Sequence, residues 1–278
     1  MNYNSMRILI TRGKVMKIIS IISSCRKNGN TENLVSILEE ELKSVSELKH
    51  EEIEIERIYL GQANLKMCMG CRICFDKGEQ FCPLKDDFLT IREKVVEADG
   101  VILASPVYVE DVNGIMKNWI DRMAFYCHRP ALAGKVAVTI TTSGAGSTNH
   151  ALKTISFAIM SWGAYLGGQY KFRTGALMKR EEIYEHNHSK VNEVARKLID
   201  DIKNQKAYMP TLYSLIIFKV QQKLWQKNTD SQNSIDYTYW NNKGWLEPKC
   251  VFYTTIRTNW FKVKIARLFG AIIALFFK

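Results

Sequence analysis

Short apolar runs alternate, along most of this sequence, with stretches in which apolar residues recur at helical spacing. Strands are predicted where the runs are rich in β-branched residues and bounded by polar turns: 17–22, 52–60, 100–108, 135–144 and 164–172. Helices are predicted where apolar residues recur every three or four positions: 30–45, 87–98, 114–125, 149–163 and 190–205. The chain from residue 16 to residue 205 therefore alternates strand and helix.

This alternation predicts an α/β domain whose parallel sheet is covered by helices on both faces. Five strands in about 190 residues fit a doubly wound five-stranded parallel sheet with the strand order 2-1-3-4-5. Residues 1–15 show no clear period and are predicted to be an N-terminal arm. Residues 206–278 lie outside the core pattern and are predicted to be a basic, aromatic, helical C-terminal extension.

Composition and charge narrow the class of protein. The 278 residues are 46% hydrophobic and 24% charged, which suits one large core and excludes a disordered chain. The net charge is +11, but residues 208–278 hold ten Lys/Arg against three Asp/Glu and so supply +7 of it. No recognition-helix or base-stacking signature accompanies this charge, so nucleic acid is not expected as a partner.

The N-terminal residues lack the apolar core of a secretory signal, and a cytoplasmic location is expected.

The stretch SSCRKNGNT, residues 23–31, joins the first strand to the first helix. Its hydroxyls, the charge of Arg26 and the N-terminus of the helix favour an anion, and Gly29 allows a close approach to the backbone. It contains neither a nucleotide-triphosphate loop nor the glycine pattern of a dinucleotide site. A single phosphate monoester, such as that of FMN, fits best. The alternative is an ordinary turn in which Asn30 or Thr31 caps the helix.

Two more loops leave the carboxyl ends of predicted strands, where open α/β sheets bind ligands. In SPVYVEDVNG, residues 105–114, Pro106 and Tyr108 suit the edge or face of a flat ring, although a plain turn with a packing tyrosine would have the same residues. In TTSGAGS, residues 141–147, small side chains leave room for a ligand against the backbone. Three such loops at one edge favour a common site more strongly than any one of them.

These three loops, in this order, resemble the NADPH-dependent FMN reductase branch of the flavodoxin-like superfamily over about residues 16–205. Cys25 stands where that family commonly has proline. The resemblance implies that FMN binds at the three loops. Its phosphate would lie at Ser24, Arg26, Asn28, Asn30 and Thr31. Its ring would be lined by Pro106, Val107, Tyr108 and Val109, and enclosed on the other side by Ser143, Gly144, Ala145 and Gly146.

The resemblance also implies an activity. Hydride from NAD(P)H would reduce the flavin, which would pass electrons to a small-molecule or protein acceptor, in a homodimer or homotetramer. One alternative is an electron carrier that receives single electrons from ferredoxin without NAD(P)H. Another is a non-enzymatic, membrane-associated protein that binds metal or interacts with partners through its C-terminal extension.

Four cysteines are clustered after the second predicted strand: Cys68, Cys71, Cys74 and Cys82. Their spacing is C-x2-C-x2-C-x7-C followed by Pro83, and it resembles the ferredoxin pattern with a longer last gap. The run also resembles that of the iron–sulfur flavoproteins within the same branch. A [4Fe–4S] cluster is the favoured interpretation. Four reduced thiols without metal and a zinc site are the alternatives.

The C-terminal extension has three parts. Apolar residues recur at helical spacing in 212–225, residues 234–249 are aromatic and rich in turns, and 259–278 begins basic and ends with the ten apolar residues 268–277. Ten apolar residues are too few to span a bilayer as a helix. Packing on the core or a subunit contact is the favoured role, and a membrane-surface helix is the alternative.

Overall fold

The computed structural model describes residues 15–204, 208–227 and 234–276. Residues 1–14 of the predicted N-terminal arm lie outside the described residues. So do residue 205, where the last core helix was predicted to end, and residues 277–278 at the end of the extension.

Five parallel strands form the central sheet of the described chain: β1 (Met16–Ile22), β2 (Ile53–Tyr59), β3 (Gly100–Tyr108), β5 (Val136–Ser143) and β6 (Tyr165–Arg173). Their spatial order is β2-β1-β3-β5-β6, which is the predicted doubly wound order. The predicted α/β class, the five parallel strands and their topology are confirmed. A short sixth strand, β4 (Asp111–Val112), pairs antiparallel with the end of β3 and was not predicted.

Helices of the core connect these strands: α1 (Asn30–Leu48), α2 (Ile73–Asp76), α3 (Phe88–Glu97), α4 (Gly114–Arg122), α5 (Asn149–Ser161) and α6 (Arg180–Lys203). The α6 helix starts ten residues earlier than the predicted residue 190. Its first turns are polar and exposed, so they lack the apolar period on which the prediction relied. The Glu182 carboxylate accepts the backbone N–H of Lys179 at 2.6 Å and so defines the start of this helix.

The two faces of the sheet are covered by separate apolar clusters. The α1 and α6 helices pack on one face, where they bury residues such as Leu34, Leu38 and Leu198. The α3, α4 and α5 helices pack on the other, where Trp119 and Trp162 meet edge to face with ring centroids 5.3 Å apart. Because both faces are covered, the strands position their terminal loops rigidly.

The C-terminal extension forms a third apolar cluster beside this core. It contains α7 (Leu212–Lys227), α8 (Ile235–Asn242) and α9 (Trp260–Ile273), and the aromatic rings of Phe218, Trp240 and Tyr253 lie at its centre. The extension is joined to the core by hydrogen bonds, for example from Trp240 Nε1 to the His128 carbonyl at 2.7 Å. Among the described residues, no helix combines the length and the apolar character that crossing a bilayer requires.

Candidate functional site

The three loops predicted to share one edge of the sheet do lie together. In the β1–β3–β5 ladder, Ile22 pairs with Ala104 and Pro106 pairs with Thr142, so the carboxyl ends of these strands are adjacent. The first residue after β1, Ser23, donates its backbone N–H to the Ala104 carbonyl at 3.0 Å. The three loops therefore begin side by side.

In the first loop, residues 23–29, the helix N-terminus has no side-chain cap. The N-cap residue of α1 is Gly29, which is extended and makes no side-chain hydrogen bond, so the alternative of Asn30 or Thr31 as the cap is wrong. Arg26 and Asn28 are exposed at the surface, and Ser24 is buried beneath them. The first backbone N–H groups of α1 and the Arg26 guanidinium make this end of the helix suitable for an anion.

The side chains of Asn30 and Thr31 form hydrogen bonds with neighbouring segments. The Asn30 amide donates to the Gly175 carbonyl at 2.6 Å, in the loop between β6 and α6. The Thr31 hydroxyl is buried and lies 2.7 Å from the Thr142 hydroxyl on β5. These two residues hold the first loop against its neighbours, whereas Arg26 and Asn28 present groups to the surface.

The second loop is a hairpin between β3 and β4. Its two turn residues have positive φ angles, 49° at Val109 and 66° at Glu110. Both belong to the left-handed region, which a β-branched residue such as Val109 rarely adopts, and such strain is concentrated at functional sites. The Val109 side chain is 99% exposed and Tyr108 is half exposed, so an apolar and an aromatic side chain stand free at this edge.

The third loop, residues 143–146, is small and turns sharply. The Ser143 hydroxyl donates to the Ala145 carbonyl, and the loop then passes through Gly146 with a φ of 66°. The Cβ of a larger residue at Gly144 would lie 3.6 Å from the Thr174 carbonyl. A Cβ at Gly146 would meet no atom within 4 Å, so this side of the turn is open. A cap-free helix N-terminus flanked by an exposed aromatic and a small-residue turn fits a phosphate-bearing flat ring such as FMN.

The four cysteines surround one cavity. Cys68, Cys71, Cys74 and Cys82 all line a space of about 160 Å³. Burial raises the pKa of the Cys74 thiol, and repulsion from the other three sulfurs raises it further, because the four groups are close together. Within residues 15–204, 208–227 and 234–276, no three His, Cys, Asp or Glu side chains are placed to hold a single metal ion. Four thiols around one shared cavity are a donor set that fits an iron–sulfur cluster.

A buried ion pair supports the cysteine loop from behind. Arg122 on α4 and Asp86 are 3% and 1% exposed, and their closest contact is 2.7 Å. The second Arg122 nitrogen lies 3.8 Å from Cys82 Sγ, and the guanidinium also donates to the Lys66 carbonyl. Burial alone would raise the pKa of Asp86, but hydrogen bonds from Arg122 and from backbone N–H groups hold it below its usual value.

A second arginine connects the cysteine loop with the extension. Arg129 is buried and donates to the Cys74 carbonyl at 2.6 Å and to Glu79 at 3.2 Å. It also donates to the Asp236 carboxylate of α8, whose other oxygen lies 2.8 Å from His128 Nδ1. The conformation of the cysteine loop therefore depends on a residue far away in the chain.

Sequence reasoning missed these supporting residues. Asn113 carried one usable signal, because an asparagine directly before an apolar helical period is a typical N-cap. It accepts the Met116 backbone N–H at 3.2 Å and thereby begins α4. Asn118, whose Oδ1 accepts the Cys68 backbone N–H at 2.9 Å, had no such signal, and neither did Arg122, while the solvated turn predicted at Arg129 is wrong because that side chain is buried.

Comparison with known proteins assigns this arrangement to a family. The sequence model described as NADPH-dependent FMN reductase matches residues 16–175, more than half of the chain. The chain belongs to the NADPH-dependent FMN reductase family. An iron-sulfur flavoprotein of Archaeoglobus fulgidus is 31% identical over 232 residues, 83% of this chain and 100% of that protein. Another, of Methanocaldococcus jannaschii, is 39% identical over 138 residues, 48% of this chain and 67% of that protein.

Solved structures agree with the fold of this family. A flavone reductase has a TM-score of 0.56 at 14% sequence identity, over 70% of this chain and 66% of that one. The family assignment makes this chain a flavin-dependent oxidoreductase in class and confirms the flavodoxin-like fold. The family model ends at residue 175, so α6 and the C-terminal extension lie beyond that model, whereas the match to the Archaeoglobus fulgidus protein covers 83% of the chain.

Proposed function

We propose that the protein is an FMN-dependent oxidoreductase that takes electrons from NAD(P)H and passes them to a small-molecule or protein acceptor. The observation that carries the proposal is the N-terminus of α1, which no side chain caps and which lies directly behind the exposed Arg26. An uncapped helix N-terminus with an arginine beside it is suited to a phosphate monoester. FMN carries such a group, and the family to which the chain belongs uses it.

The chain's own residues would bind and orient the cofactor. Arg26, Asn28 and the first N–H groups of α1 would contact the phosphate, with Ser24 beneath them. Pro106, Val107, Tyr108 and Val109 would line the ring, and Ser143, Gly144, Ala145 and Gly146 would lie opposite. Asn30 and Thr31 fix the spacing of the loops through Gly175 and Thr142. Bound FMN supplies the chemistry, accepting hydride and releasing one or two electrons.

We also propose that Cys68, Cys71, Cys74 and Cys82 hold a [4Fe–4S] cluster. The spacing of the four residues and their shared cavity support this. Arg122 would then donate toward the ligand Cys82. Hydrogen bonds to ligand sulfurs are one of the factors that set the potential of such a cluster. We further propose a cytoplasmic location, because clustered cysteines suit a reducing compartment, and a homodimer or homotetramer as the assembly.

A second candidate function uses the same FMN and the same cluster but a different electron donor. The protein would be an electron carrier that receives single electrons from ferredoxin through the cluster. The favouring observation is that the segment leading to the cysteine loop begins next to the first loop. A Cβ at Gly61, where the segment that leads from β2 to the cysteines begins, would lie only 2.9 Å from the Cys25 Cα, so this segment starts against the first loop.

One experiment separates these functions. The protein is purified anaerobically, its visible spectrum, iron and sulfide are measured, and it is mixed with NADH, NADPH or reduced ferredoxin. Rapid bleaching of the flavin by a nicotinamide supports the first function. Bleaching by ferredoxin alone supports the second, and failure to bind FMN contradicts both. Cys71→Ser is the control for the cluster, because it should lose iron and retain FMN.

A further inference from the structure

The outer face of α9 and of the turn after it exposes large apolar side chains. Phe261, Leu268, Ile272 and Leu275 are separated by seven, four and three residues, so they lie on one side of the helix. They are 44% to 68% exposed. Further exposed residues extend this face, which we call the α9 face: Trp260, Phe269 and Phe276. Contiguous exposed apolar surface of this kind is typical of an interaction site.

Small residues explain why the large ones point outward. Ala266, Gly270 and Ala274 recur every four residues, are buried, and form the side of α9 that packs on α7. A Cβ at Gly270 would lie 2.7 Å from the Lys219 Cβ and 3.1 Å from the Ile216 carbonyl, so the two helix backbones are very close. Small residues at four-residue intervals let two helices approach closely, so the large apolar residues of α9 are left on its outer side.

The charges of α9 and of α7, the helix on which it packs, are of one sign. The α9 helix carries Lys262, Lys264 and Arg267, and α7 carries Lys219, Lys223 and Lys227, whereas neither helix contains an acidic residue. Lys264 Nζ lies 4.4 Å from the Trp260 ring centroid, at the edge of the apolar surface. An apolar helix face with basic residues at its edges is the pattern of helices that bind the interface of an anionic membrane.

The cations are close enough to repel one another. Burial lowers the pKa of Lys219, and repulsion from Lys223 and Arg267 lowers it further. An isologous contact through the α9 face would bring the basic residues of the two α9 helices toward each other, with no acidic residue of either helix to pair with them. An anionic surface would instead neutralise them. Charge complementarity therefore favours lipid over a second copy.

We propose that the α9 face binds the surface of an anionic phospholipid bilayer. Its aromatic and aliphatic side chains would enter the boundary between headgroups and acyl chains, and the surrounding lysines and arginine would contact the lipid phosphates. The site lies in the extension, beyond residue 175 at which the family model ends, and is independent of the flavin proposal.

The test uses the purified full-length protein and sedimentation with vesicles. One set of vesicles contains phosphatidylglycerol and phosphatidylcholine, and the other contains phosphatidylcholine alone. We expect binding to the anionic vesicles that weakens as salt is raised, and little binding to the neutral ones. The double variant Leu268→Gln/Ile272→Gln should bind at least about tenfold more weakly. The control Leu48→Gln/Tyr184→Gln changes two side chains that are equally exposed elsewhere and should bind normally.

Charge and folding are controlled separately. Lys264→Glu should weaken binding to anionic vesicles, whereas Lys43→Glu, an exposed lysine on α1, should not. All variants are checked by circular dichroism and by their FMN content. Equal binding to the anionic and the neutral vesicles, or no binding to either, would overturn the proposal. So would a dimer, measured by light scattering, that Leu268→Gln/Ile272→Gln dissociates, because the α9 face would then belong to a second copy.

Discussion

The side-chain amide of Asn113 donates a 2.7 Å hydrogen bond to the carbonyl of Ser23. The same side chain accepts the backbone N–H of Met116 and so caps α4. One residue therefore connects the first loop of the candidate flavin site with the hairpin of the second. Because Asn113 is buried, water cannot replace either hydrogen bond without a change in the loops.

Asn113→Asp separates these two roles. The carboxylate can still accept the Met116 N–H, but it cannot donate to Ser23, and it places a charge against a carbonyl oxygen. We expect FMN affinity, measured by fluorescence titration, to fall about tenfold, since a lost buried hydrogen bond costs about 1–3 kcal/mol. Asn259→Asp is the control, because Asn259 also caps a helix, α9, by accepting from Phe261. Equal effects of the two changes would contradict a linking role for Asn113.

Arg26→Ala tests the phosphate site with two ligands. Riboflavin is FMN without the phosphate, so the ratio of the two affinities isolates the contacts made to that group. Loss of a charged hydrogen bond worth about 1.5–3 kcal/mol should lower FMN affinity about tenfold or more and leave riboflavin affinity nearly unchanged. The neighbouring exposed Lys27→Ala controls for net charge. If Arg26→Ala lowers the affinities for FMN and riboflavin by the same factor, the phosphate lies elsewhere.

The Arg122–Asp86 pair should make stability sensitive to acid. The pKa of Asp86 is lowered in the folded protein, so its contribution is complete above the unfolded pKa of about 3.9 and is lost as pH falls through the folded value. Arg122→Met leaves the carboxylate buried without its partner and should cost about 3–5 kcal/mol at neutral pH, measured by urea unfolding. Lys117→Met removes an exposed pair from the same helix and should cost less than about 1 kcal/mol.

Asp86→Asn checks the origin of the acid sensitivity. An amide does not titrate, so the loss of stability on acidification should be smaller in this variant than in the wild type. An unchanged dependence on pH would show that other carboxylates are responsible.

Asp236→Asn tests the connection between the extension and the cysteine loop. The change removes the charge that faces Arg129 and His128, and Arg129 is then less firmly held at the Cys74 carbonyl. We expect the reduced, metal-free protein to react faster at Cys74 with a maleimide, by several-fold, as measured by peptide mass spectrometry. Asp200→Asn, which loses a half-exposed pair with Lys49, should leave the rate unchanged. If Cys74 reacts at the same rate in both variants, the extension does not influence the conformation of the cysteine loop.

The sequence predicted the parts of this protein that depend on local pattern. The β-branched runs located β1, β3 and β5, and their order required the three loops to meet at one edge. The turn at Val109 and Glu110 was missed because it contains none of the glycine or asparagine residues that normally identify such a hairpin. The prediction that 259–278 packs on the core or forms a subunit contact did not anticipate that small residues would form the packed side of α9.

Long-range contacts could not be predicted in this way. Arg122 and Asp86 are 36 residues apart in the chain, and Arg129 and Asp236 are 107 apart. No periodicity connects such pairs, because each depends on how whole elements pack. The cysteine spacing identified the four candidate ligands, whereas the residues that hold their loop in place became visible only in three dimensions.

Because both ends of α4 are anchored, the length of this helix limits how the gene of such a protein can change. It is anchored at its start by Asn113, beside the first loop, and at its end by Arg122, against the cysteine loop. Inserting or deleting one residue within 115–121 would turn one end by about 100° relative to the other, because the helix has 3.6 residues per turn. Substitutions on its exposed side should therefore accumulate freely, while its length should remain constant across related genes.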